Sequence, residues 1–146
     1  MVHIKRLLKV FLIGSIFVLA GCTKIGTGQK SPYGNDVNQL EGVSIDLDET
    51  EFKTSGNTLD LKIHNTSDEE YYYGAEYSLE YLEDDVWHTI ETEDDMAVIA
   101  IAYVLVPNDT NTDKIDLSFY EPLRPGTYRI IKMIGDEPLT AEFTVK

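Results

Sequence analysis

The one thiol in this sequence is Cys22, which follows by a single glycine an apolar run from Val10 to Ala20 interrupted only by Gly14 and Ser15. With no second cysteine, an intramolecular disulfide is excluded. Beyond Cys22 the only imidazoles are His64 and His88, both on the polar parity of alternating segments. Paired across a sheet they could approach a metal, but a zinc site needs at least three ligands. Three acidic clusters, Asp68-Glu69-Glu70, Glu83-Asp84-Asp85 and Glu91 to Asp95, offer carboxylates that loops at one end of a domain could pool for calcium. EF-hand spacing is absent, and solvated acidic turns are the plainer reading. Neither Gly-x-Ser-x-Gly, His-Glu-x-x-His nor Gly-x-x-x-x-Gly-Lys occurs, so nucleophile, zinc-protease and phosphate-loop chemistry have no carrier. The expectation is no catalytic residue, no metal and no cofactor.

The elements around Cys22 give it a different role. Residues 1–9 carry Lys5, Arg6 and Lys9 without an acid, and the apolar run behind them falls short of the roughly 20 residues that span a bilayer. A basic head, a short apolar stretch and a small-residue end read as a signal peptide. An uncleaved helix starting near Leu7 is the alternative, and it too would leave the rest of the chain outside, because the positive flank is N-terminal. Leu19-Ala20-Gly21-Cys22 resembles the lipobox of bacterial lipoprotein signal peptides. That resemblance implies a diacylglyceryl group on Cys22, cleavage after Gly21, and attachment to the membrane through the lipid.

Without residues 1–21 the chain has nine basic residues against 26 acidic, a formal charge of −17. Such a balance repels phosphate backbones and anionic head groups, so nucleic acid is excluded as a partner. From Cys22 to Glu41 the composition turns to Gly26, Gly28, Pro32, Gly34 and Asn35, and reads as a flexible linker of about 20 residues with a span of roughly 25 Å. The folded domain is expected over residues 42–146. Period-two alternation marks strands at Val43–Leu47, Leu59–His64, Ala75–Tyr81, Val86–Ile90, Ile115–Phe119, Tyr128–Ile134 and Ala141–Val145. Met96 to Val106 is almost wholly apolar, where period alone cannot separate strand from helix. Its β-branched Val98, Ile99, Ile101, Val104 and Val106, ended by Pro107, favour a strand. Asn108 to Asp113 reads as a loop. About eight short strands without an amphipathic helix predict an all-β sandwich. Among the tyrosines, Tyr77 and Tyr81 share the core parity, with glutamates opposite. Tyr72, on the parity opposite to Tyr71 and Tyr73, is the candidate for an exposed contact.

The stretch Leu123-Arg124-Pro125-Gly126-Thr127-Tyr128 places a glycine two residues before a tyrosine at the entry to the penultimate strand. It looks like the tyrosine corner of immunoglobulin-like sandwiches, in which the hydroxyl bonds back to the backbone upstream. With Tyr73-Gly74, Tyr77-Ser78-Leu79-Glu80 and Trp87, the segment from Gly42 to Lys146 resembles a bacterial immunoglobulin-like domain family common in surface lipoproteins of Gram-positive bacteria. The resemblance implies an immunoglobulin-like sandwich of 7–8 antiparallel strands, with Ile130 and an aliphatic residue such as Leu61 packing where antibody domains place a disulfide. It brings no catalytic or ligand residue. The functional expectation is a lipid-anchored, extracellular, non-catalytic module that binds an envelope protein or wall component. An inhibitor or accessory subunit of a cell-envelope enzyme is the alternative.

Overall fold

The computed structural model describes residues 27–92 and 100–146. Among the described residues eleven strands form two facing sheets and a separate ribbon. The larger sheet contains β1 (Thr27–Lys30), β7 (Val86–Ile90), β6 (Ser78–Glu83), β10 (Gly126–Ile134), β11 (Glu137–Val145) and β3 (Glu51–Phe52), in that order. The smaller contains β2 (Val43–Leu47), β4 (Thr58–Asn65) and β9 (Asp109–Asp116), and the ribbon pairs β5 (Tyr71–Gly74) with β8 (Ala102–Leu105). All pairings are antiparallel except β3 with β11.

Alternation builds the core as its period requires. Val43, Ile45 and Leu47 of β2 and Leu59, Leu61 and Ile63 of β4 turn inward against Leu79, Tyr128, Ile130, Leu139 and Phe143 of the larger sheet. The outward parity of the smaller sheet is polar, with ion pairs Lys62–Asp48 at 2.6 Å and Lys114–Asp60 at 2.8 Å. Asp84 and Asp85 both have positive φ, the geometry of a two-residue turn whose twist matches its flanking strands, and they close the β6–β7 hairpin.

Several elements differ from the sequence-based expectation. Asn108 to Asp113 is not a loop, because β9 starts at Asp109 and pairs along all of β4; pairing to a strand of the sheet outweighs its polar composition. Leu117–Phe119 is a single 3-10 turn, because the Asp116 carboxylate accepts from the Ser118 amide at 2.9 Å and caps it there. The Tyr71–Tyr81 stretch breaks after Gly74, so β5 joins the ribbon while β6 joins the larger sheet. In the apolar run, strand is present at Ala102–Leu105, and Met96 to Ile99 lie outside the described residues.

The largest difference concerns residues 22–41. The flexible-linker reading fails for residues 27–41, which form a strap across the outer face of the larger sheet. β1 pairs with β7, and the Ser31 amide donates to the Trp87 carbonyl at 2.8 Å. A Cβ on Gly28 would overlap the Thr89 carbonyl, so only glycine lets the two backbones approach this closely. Farther along, the Asn38 amide donates to Pro138 O at 2.9 Å, and its side chain exchanges hydrogen bonds with Thr140 at 2.8 and 3.0 Å. The folded part therefore includes residues ahead of Gly42. What the strap covers explains why it docks: Trp87, Arg129 and Ile131, on the outward parity of β7 and β10, are all buried. Arg129 Nε donates to Glu80 Oε2 at 2.6 Å, and Arg129 Nη2 donates to Gly34 O at 2.8 Å. Glu80, expected on the wet face of its strand, is thus fully buried as one half of an ion pair.

Candidate functional site

The Tyr128 ring is fully buried, 5.5 Å from Phe143 in a stacked pair and 5.0 Å from Tyr81 edge-on. Its hydroxyl donates to the Arg124 carbonyl at 2.7 Å, four residues upstream. Burial pushes the phenol up to about 12, helped by Tyr81 and opposed by the Arg124 guanidinium. An unfolded chain ionises this group near its ordinary 10.0, so its stabilising contribution is complete below that pH and is lost as pH rises through the folded value. Gly126 has φ +154°, and a Cβ there would stand 2.6 Å from Tyr81 Cε2. Tyr128→Phe is expected to cost about 1 to 3 kcal/mol, because it removes the hydroxyl and orphans a carbonyl while keeping the ring. Gly126→Val should cost at least as much, adding backbone strain of about 1–3 kcal/mol to the clash. Urea unfolding checks both, and an unchanged Tyr128→Phe midpoint would mean a solvated hydroxyl.

The remaining expected site residues are dispersed. Leu19, Ala20, Gly21 and Cys22 lie outside the described residues. His64 sits on the outer face of the smaller sheet with Nε2 2.6 Å from Asp46 Oδ1 and Nδ1 2.9 Å from Thr110 Oγ1, while His88 belongs to the other sheet. Among the described residues no three His, Cys, Asp or Glu side chains are grouped to hold a metal. The Asp68–Glu70 cluster falls in the β4–β5 connection and Glu83–Asp85 at the β6–β7 turn; Glu93 to Asp95 are outside the described residues.

Tyr72 is 55% exposed, and its surroundings mark the surface most open to a partner. In the β5–β8 ribbon, one parity turns Tyr73 and Leu105 into the core and the other carries Tyr72, Gly74, Ala102 and Val104 outward. Tyr72, Ala102 and Val104 make that outer face apolar, Val106 continues its parity past Leu105, and the Glu76 carboxylate lies over it at Gly74. Tyr72 Oη donates to Glu70 Oε1 at 2.5 Å; that bond and the carboxylate's charge raise the phenol above its ordinary range. Beside the ribbon lies an open groove of about 420 Å³, lined by Tyr72, Gly74, Glu76, Ile101 and Met133 among others. A Cβ on Gly74 would overlap the Glu76 carboxylate, which lies over this part of the groove. Parity alone indicated Tyr72. Its companions Ile101, Val104 and Val106 were missed, because an unbroken apolar run reads as buried on both faces.

The family model of the bacterial Ig-like domain matches residues 39–144. The chain belongs to that family. The bacterial Ig-like domain is a non-catalytic structural and binding module, and here its sandwich is the assembly of β2–β11 described above, with the strap laid across it. Solved structures similar to this Ig-like chain include the alkylpurine DNA glycosylase AlkC of Pseudomonas fluorescens bound to DNA containing an abasic site analog, at 13% identity and TM-score 0.41, covering 72% of this chain and 30% of that one. The archaellum periplasmic stator protein FlaG from Sulfolobus acidocaldarius is 17% identical at TM-score 0.41, covering 70% and 98%. A β-glucosidase from Listeria innocua in complex with gluconolactone is 13% identical at TM-score 0.40, covering 70% and 16%. The chain thus spans less than a third of the glycosylase and about a sixth of the glucosidase, and at these TM-scores the likenesses carry no functional conclusion. No curated protein matches this sequence.

Proposed function

We propose that this chain is a lipid-anchored, extracellular Ig-like module that binds an envelope protein or wall component at the outer face of the cell membrane, without catalysis. The observation that supports the reading is Cys22 closing the apolar run, with the basic residues ahead of it and the Ig-like sandwich behind it. One acyl chain of myristoyl size binds a bilayer only marginally, whereas two hold it stably, each buried methylene contributing about 0.8 kcal/mol. A diacylglyceryl group on Cys22 is therefore sufficient to retain a domain whose acidic surface has no attraction of its own for anionic lipid.

The test is intact-mass analysis of the membrane fraction together with Cys22→Ala. The parent is expected to begin at Cys22 and to carry the lipid mass. Cys22→Ala is expected to remain unprocessed or to leave the membrane. A membrane form without lipid on Cys22 would overturn the reading.

A further inference from the structure

The outer face of the β5–β8 ribbon breaks the pattern of the other exposed strand faces. Across the smaller sheet the outward positions are Ser44, Asp46, Asp60, Lys62, His64, Thr110, Thr112 and Lys114, all polar, with Lys114 paired to Asp60, Lys62 to Asp48 and His64 in hydrogen-bond distance of Asp46. Across the ribbon they are tyrosine, glycine, alanine and valine, with Tyr72 at 55% and Val104 at 41% exposure and the Glu76 carboxylate laid over Gly74. An exposed apolar strand face bordered by carboxylates is the place on this surface where a partner with both apolar and charged groups would gain most.

Charge decides what fits it. No lysine or arginine lies between Lys62 and Lys114, a stretch that holds 14 acidic residues and both ribbon strands. The cations supplied by neighbouring β10 are already engaged inside the fold: Arg129 with Glu80 and Lys132 with Asp113 at 2.7 Å. At the ribbon the Glu70 carboxylate holds the Tyr72 hydroxyl, and Glu76 faces the groove with no cation beside it among the described residues. A second copy of this chain would bring the same acids against these, and an anionic bilayer would be repelled. Complementarity requires positive charge next to apolar side chains.

We propose that the ribbon face of Tyr72, Ala102 and Val104, with Glu76 at its groove, docks an extended cationic segment of another protein, one that alternates lysine or arginine with aliphatic side chains. The aliphatic groups cover Tyr72 and Val104 while an ammonium or guanidinium meets Glu76. This deepens the reading of the chain as a binding module but does not depend on its anchor.

The experiment uses the full chain in phosphatidylcholine nanodiscs and a short fluorescent peptide alternating lysine with valine, followed by anisotropy. The peptide is expected to bind, and to bind about tenfold more weakly to Tyr72→Ser/Val104→Thr and to Glu76→Gln, the loss typical of a contact at an interface centre. Peptides with glutamate for lysine, or serine for valine, should not bind. All substituted side chains are exposed, and an unchanged Trp87 emission verifies that each variant keeps its fold. The proposal is overturned if the lysine–serine peptide binds as well as the lysine–valine one, or if neither substitution weakens binding. It is also overturned if the face mediates a concentration-dependent dimer, or adsorption to phosphatidylglycerol vesicles, that the same substitutions abolish. None of these outcomes bears on the lipid at Cys22, which the mass analysis tests separately.

Discussion

Arg129→Leu is expected to lower the unfolding free energy by about 3 to 5 kcal/mol, the range for removing one partner of a buried ion pair. The Arg129 and Glu80 side chains are only 2% and 1% exposed, and they sit opposite each other in the register of β10 and β6. The guanidinium is also held by Gly34 O at 2.8 Å and Ser31 Oγ at 3.4 Å, with its carbon 4.3 Å above the Trp87 ring. Glu80 Oε1 has no partner among the described residues, so the carboxylate depends on Arg129 for its compensation. Without the guanidinium an uncompensated charge stays under the strap. Glu80→Leu together with Arg129→Leu should recover most of the loss, because the desolvation of two ions disappears along with their attraction. Urea unfolding of the parent, both single variants and the double variant gives the coupling energy. A cycle that closes within about 0.5 kcal/mol would mean that the pair is hydrated and the strap open.

Removing the strap should cost about 2 to 4 kcal/mol. A chain beginning at Gly42 lacks the two hydrogen bonds to the Arg129 guanidinium, each of a kind that contributes about 1.5–3 kcal/mol. It also uncovers Ile131 and Trp87, at about 1.5–3 kcal/mol for a large apolar side chain. The freedom regained by the unpinned backbone, about 1–2 kcal/mol per residue, offsets most of what these contacts and the β1–β7 and Asn38 hydrogen bonds contribute together. Trp87 is the chain's single tryptophan, so it reports the change directly. Compared with a chain beginning at Thr27, the shorter one should emit farther to the red, be quenched more by acrylamide and unfold at lower urea. Identical emission and midpoint in the two chains would show that the strap does not dock.

Strands whose two faces meet different surroundings were legible in the sequence. In β2, in β4 from Leu59 to Ile63 and in β11 from Leu139 to Val145 every second residue is apolar and buried, as the alternation predicts. Where burial comes from something other than the sandwich core, alternation misleads. Glu80 has the parity of a solvent-facing residue and does face away from the core, but a segment almost 50 residues earlier covers it. Its partner Arg129 is adjacent only through the β6–β10 register, which no local pattern encodes. The strap reads as linker because Gly28 and Gly34 look like flexibility, whereas Gly28 is where two backbones come too close for a side chain. Polar β9 is strand because β4 offers it an edge. For the candidate contact surface, parity indicated Tyr72, and the absence of lysine and arginine between Lys62 and Lys114 was in plain view. The outward turn of Val104 required the pairing of β8 with β5.

The docked strap changes the mechanics of attachment. With Cys22 acylated as proposed, five peptide units separate it from Thr27, and fully extended they reach about 17 Å, less than the roughly 25 Å of a loose 20-residue coil. The β1 edge of the larger sheet is then kept close over the bilayer, and the sandwich cannot tumble freely on its leash. A tug on the domain, as from a partner fixed to the wall, loads β1 against β7 first, then the Ser31 and Gly34 grip on Arg129. With the lipid on Cys22 and a wall-fixed partner as proposed, peeling the strap would lengthen the leash and expose Trp87 while the β2–β11 sandwich stays paired, the behaviour of a shock absorber.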